Sequence, residues 1–140
     1  MAAAQEEPIW QPLSMLAVLS VHVKEGGTAA REHRAALEKG RFAPRVLDDA
    51  TVARVKKVFT QTAEDNALFA EQGRRWAAED LTPVQRNQVE RYAALVAELQ
   101  RETTAILALA DELATTTIET VLATSDLELG VEALRRGGTP

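Results

Sequence analysis

The chain has 140 residues, 46% of them apolar and 26% charged, with no cysteine and only 4% aromatic. That length suits one domain around a single core, and the lack of cysteine excludes disulfides, thiolate metal sites and cysteine nucleophiles. A net charge of -5 favours solubility and argues against a whole-protein nucleic-acid binder, which carries a basic excess.

Residues 1–11 begin with an acidic leader containing Glu6 and Glu7 and read as a flexible tail, as do residues 137–140. The most apolar run, Leu13 to Val23, would rise about 16 Å as a helix, roughly half the hydrocarbon thickness of a bilayer. It cannot span a membrane. With acid rather than base ahead of it and no small-x-small site behind it, it is not a signal peptide either. The expected location is cytoplasmic.

Leu16, Val23, Ala30 and Leu37 recur every seven residues and predict a first helix from about Pro12 to Lys39. Gly26 and Gly27 each cost about 1 kcal/mol relative to alanine, and Thr28 could cap a new helix. The unbroken phase of the repeat favours one helix, with room for a kink. Gly40 is expected to end it, and residues 41–47 to form a loop. Asp48 and Asp49 provide a cap with acid in the first turn. From Val52 to Trp76, apolar and small residues then lie on one face at three-four spacing, predicting a helix from Asp49 to Ala78. The connection 79–82 is short enough to force an antiparallel pair.

The clearest start is Thr82-Pro83-Val84-Gln85, a capping box with proline at the first helical position. Tyr92, Leu99, Ile106 and Leu113 follow at seven-residue spacing, so this helix runs from Pro83 to about Ala114. Residues equally distant from the connection should face each other. Phe59, Phe69 and Trp76 should therefore be buried against Tyr92, Leu95, Leu99 and Ile106, with Phe69 near 92–95. Asn66 falls on the apolar face, where a buried amide can fix register. Beyond three threonines at 115–117, Ser125 and Glu128 offer a second capping box for a short helix to Arg136. The expected fold is all-α: a single domain over 1–140, an up-down, coiled-coil-like bundle of three long antiparallel helices plus a short C-terminal helix.

Reactive groups do not converge. A di-iron bundle needs Glu-x-x-His pairs, but Leu19 and Ala30 stand three residues before His22 and His33. On one helix those histidines are about 16 Å apart in rise, too far to share a metal. Acidic neighbours such as Glu64-Asp65 and Asp111-Glu112 point about 100° apart and do not meet on one ion. Glycine-rich phosphate loops and a Gly-x-Ser-x-Gly elbow are missing. The sequence thus predicts no enzyme, no catalytic residue, no metal site and no cofactor.

Charge is unevenly spread. Residues 24–57 hold nine basic and five acidic side chains, whereas 98–140 hold three basic and eight acidic. Arg41, Phe42, Arg45, Arg54 and Lys57 are candidates for contact with phosphate or a partner, which makes a nucleic-acid-associated accessory protein the alternative function. The first helix also carries a second apolar face. Met15, Val18 and Val21 point away from the core repeat and Leu19 borders them, so these four are the expected interface of a homo-oligomer, most simply a dimer. The basic segment could then meet the acidic segment of the second chain. Leu127, Leu129, Val131 and Leu134 of the terminal helix compete for the same face. The leading expectation is a non-enzymatic helical interaction or assembly protein, with a homodimer or an unidentified protein as partner and no membrane.

The stretches Val46-Leu47-Asp48-Asp49-Ala50-Thr51-Val52-Ala53-Arg54-Val55 and Thr117-Ile118-Glu119-Thr120-Val121-Leu122-Ala123-Thr124-Ser125-Asp126-Leu127-Glu128-Leu129-Gly130 resemble small helical proteins of bacterial mobile elements. The resemblance covers most of residues 12–136 and implies a bacterial source and a helical fold. It implies no activity, cofactor or site residue.

Overall fold

The computed structural model describes residues 7–42 and 48–115. The short C-terminal helix expected around Ser125 lies outside them. A 3-10 turn at Leu13–Met15 leads into α1 (Leu16–Phe42), followed by α2 (Asp49–Ala77) and α3 (Pro83–Leu113). The fold is all-α, with α1 and α2 each packed on α3 and less closely on each other. Arg31, Arg34 and Arg41 pair with Glu98, Glu102 and Glu112 in rising order, so α1 runs parallel to α3. Lys56 with Asp111 and Asn66 with Thr103 run in opposite order, so α2 is antiparallel to α3.

Each helix buries one stripe. Along α3 these are Val89, Tyr92, Val96, Leu99, Thr103, Ile106, Ala110 and Leu113, spaced alternately by three and four residues. That is the spacing of a coiled-coil seam. On α2, Val52, Phe59, Asn66, Gly73 and Trp76 are buried; on α1, Leu16, Val23, Ala30 and Leu37 are. Near mid-bundle the layer is polar. Asn66 Nδ2 donates to Thr103 Oγ1 at 3.0 Å, and Thr103 donates to the Leu99 carbonyl at 2.8 Å.

The caps of α2 and α3 form as expected. Asp48 accepts from the Thr51 amide at 2.7 Å. Thr82 Oγ1 accepts from the Gln85 amide at 3.1 Å, and Gln85 Oε1 accepts from the Thr82 amide at 3.0 Å. α1 differs from expectation at its end. It is continuous through Gly26 and Gly27, but it does not stop at Gly40, which is buried inside it; Arg41 and Phe42 are its last residues rather than part of a loop. A glycine ends a helix when it turns left-handed, and no described glycine has positive φ.

The α2–α3 hairpin places the Phe69 backbone beside Tyr92, as expected, but buries the Phe69 side chain less than expected. Phe59 and Trp76 are buried, but Phe69 is only half-buried and lies beside Leu99 in a slot facing α1. Gly73 makes room for Tyr92. Without a side chain there, the Tyr92 ring lies on the α2 backbone, T-shaped against Trp76 at 5.2 Å, with its hydroxyl donating to the Phe69 carbonyl at 2.9 Å. Seating Tyr92 at this level sets Asn66 opposite Thr103.

Of the tail expected over residues 1–11, Trp10 and Gln11 are held against α2. The Gln11 amide donates to Gln72 Oε1 at 2.6 Å, and its carbonyl accepts from Trp76 Nε1 at 3.0 Å. The Arg75 guanidinium sits 4.2 Å from the Trp10 ring centre, within cation–π range. Among the described residues no helix is long and apolar enough to cross a membrane.

Candidate interaction surfaces

The four residues expected at an interface divide into two pairs. Val18 and Val21 are 58% and 57% exposed. Met15 and Leu19 are half-buried and pack on the core. The cause is that α1 touches two helices, not one. A step of 100° per residue puts Met15 and Leu19 on the flank turned to α2, which widens the buried arc and leaves a narrower outward face. Ile9 ahead of α1 and Val84 at the start of α3 are also exposed, at 86% and 67%. Parallel α1 and α3 begin at the same end of the bundle, where a groove lined by Leu13, Ala17, Gln85 and Leu95 separates them.

The basic candidates are dispersed. Arg41 pairs with Glu112 at 2.7 Å and the neighbouring Lys56 with Asp111 at 2.8 Å. Arg54 and Lys57 are exposed on α2 with no ion pair among the described residues. Arg45 and the Phe42 side chain lie outside the described set. Along the α1–α3 seam, Arg34 holds Glu102 through two nitrogens, at 2.5 and 3.2 Å, and Arg31 pairs with Glu98. Glu102 is the first cause that raises the Arg34 pKa, by hydrogen bond and by charge. The basic and acidic segments that the sequence sets apart therefore meet within one chain. Parallel packing of α1 on α3 brings this about, so these charges pair within the chain rather than with a second copy.

His22 and His33 face α2 from opposite ends of one slot. Each meets a phenylalanine edge to face, Phe69 at 5.5 Å and Phe59 at 5.3 Å. They do not converge, and no three His, Cys, Asp or Glu side chains group for a metal among the described residues. The slot between these rings was not anticipated. Its signal in the sequence is the set of small residues Gly26, Ala29 and Ala30 at the middle of α1, which keeps that helix from filling the space over Leu99.

Comparison with family models, with curated proteins and with solved structures gives no match to this chain.

Proposed function

We propose that this chain is a non-enzymatic helical assembly protein that self-associates through the start of α1. The observation carrying this reading is that Val18 and Val21 stand exposed on consecutive turns, next to further exposed aliphatics at the same end of the bundle. Burying one such side chain from full exposure is worth about 1.5–3 kcal/mol; scaled by the exposed fractions of Val18, Val21, Ile9 and Val84, each protomer contributes roughly 4–8 kcal/mol and the two copies of a dimer roughly 8–16 kcal/mol. Association costs about 4–15 kcal/mol in lost freedom. The two ranges overlap, so the expected product is a weak dimer favoured at high concentration, two-fold because one patch can then cover its own copy.

The experiment is sedimentation of wild type and of Val18→Glu/Val21→Glu over a wide concentration range, with circular dichroism on both. Wild type should pass from monomer to dimer as concentration rises. The double variant should keep its helix content and stay monomeric. A wild-type chain that remains monomeric at the highest concentration overturns the reading.

A further inference from the structure

We propose that the slot between α1 and α2 is a binding site for a small, flat, apolar molecule carrying one hydrogen-bond donor. The slot has a volume of about 270 Å³, just below the roughly 300–1,000 Å³ of drug-sized ligand sites, which limits a guest to one or two rings. Gly26, Ala29 and Ala30 form its α1 wall, Phe59 and Phe69 stand on the α2 side, and Leu99 contributes from α3. Aromatic edges at both ends favour a flat guest, since rings prefer edge-to-face and offset contacts.

The donor requirement comes from Asn66, which also lines the slot and is 2% exposed. Thr103 gives its hydroxyl proton to the Leu99 carbonyl, so towards Asn66 it can only accept, and it takes the Nδ2 hydrogen. That orients the amide. Asn66 Oδ1 has less than 1 Å² of accessible surface and no hydrogen-bond partner, so a guest reaches it when the half-buried Phe69 beside it yields. A buried acceptor without a donor is destabilising, and a guest that supplies an N–H or O–H relieves it. Thr62 does not serve, because its hydroxyl donates back to the Val58 carbonyl at 3.0 Å. Asp65 at the rim is engaged by Gln61 at 3.1 Å and, like Asn66 Oδ1, offers only acceptors. His22 and His33 also line the slot, each edge to face with a phenylalanine, and the acceptors Asn66 Oδ1 and Asp65 favour a donor-bearing guest between them.

The test uses indole and its isostere indene, which has the same shape but no N–H, titrated calorimetrically into the full chain. Indole should bind about tenfold more tightly than indene, as expected when one hydrogen bond satisfies a buried acceptor. Asn66→Leu should bring the two within about twofold of each other by removing that acceptor. Ala29→Trp, at the exposed rim of α1, should block both probes while circular dichroism is unchanged. Val18→Glu should bind indole like wild type, because the slot does not depend on self-association. Absence of saturable indole binding, equal binding of the two probes to wild type, or binding indifferent to Ala29→Trp would each overturn the proposal. If Asn66→Leu fails to fold, the probe ratio on wild type and the Ala29→Trp result still decide it.

Discussion

Two glycines in this fold should respond oppositely to one added methyl group. At Gly73 a Cβ would lie 3.1 Å from Tyr92 Cε2 and 3.3 Å from Cδ2. The Tyr92 ring is fully buried against Trp76 and has little room to yield. Gly73→Ala should thus lower stability by about 1–3 kcal/mol, as overpacking does, despite the better helix propensity of alanine. At Gly27 nothing lies within 4 Å of the added atom, so Gly27→Ala should gain about 0.5–1 kcal/mol. Urea midpoints moving in opposite directions would bear this out; a gain at both sites would show that the Tyr92 ring can shift. Tyr92 is the single tyrosine of the chain, so its titration can be followed without assignment. Burial pushes its pKa from 10.0 up to about 12. The folded state favours the protonated phenol, so its stabilising contribution is complete below pH 10 and is lost as pH rises through about 12. Phenolate absorbance should show a midpoint near 12 in the native chain and near 10 in urea. Tyr92→Phe should flatten the alkaline fall in stability.

At the level of elements, helix starts were legible and one helix end was not. Thr82, Pro83 and Gln85 fix the start of α3 through local hydrogen bonds that need no tertiary partner, and Asp48 does the same for α2. Thr82→Ala should cost about 1 kcal/mol by removing the acceptor of the Gln85 amide, measurable as a lower thermal midpoint with unchanged native helicity. Asp48 also gives α2 a pH dependence. Its pKa is held below the ordinary 3.8, first by the Thr51 side chain and then by the Thr51 amide. A depressed carboxylate contributes stability above its unfolded pKa and loses it as pH falls through the folded value. Acid unfolding below about pH 4 should therefore be shallower in Asp48→Asn, which keeps a capping oxygen but does not titrate there. The end of α1 was misread because glycine permits a stop without imposing one. Gly40 stays helical and buried, and the Arg41–Glu112 pair follows it on the next residue. The same tertiary dependence hid the inward turn of Met15 and Leu19, since a sequence gives the angle of each residue but not how many neighbours a helix will have.

For the whole molecule, the stripes of α2 and α3 specified a three-helix bundle through one unbroken heptad phase, whereas the use of its charges depended on chain direction. Parallel packing of α1 on α3 lays Arg31, Arg34 and Arg41 beside Glu98, Glu102 and Glu112, a match across 67 to 71 positions of sequence that no local pattern reveals. The slot was missed for a related reason: small residues on α1 become a cavity only when Asn66, Phe59 and Phe69 stand opposite. Exposed pairs such as Lys56–Asp111, with side chains 47% and 64% exposed, contribute about 0–1 kcal/mol each. Arg34–Glu102 differs, because the Glu102 side chain is only 13% exposed and Arg34→Gln would leave that carboxylate half-satisfied. Arg34→Gln should accordingly destabilise more than Lys56→Gln. The same pairings limit phosphate binding, since four of the basic side chains between residues 24 and 57 are already engaged with acids of α3. Each phosphate neutralised on duplex DNA contributes a slope of about -0.9 in log K against log salt. With Arg54 and Lys57 as the basic candidates left outside described ion pairs, a mobility-shift titration should show at most weak binding, with a slope no steeper than about -2 to -3. A slope beyond about -5 would mean that the α1–α3 pairs open on DNA, and the nucleic-acid reading would then displace self-association.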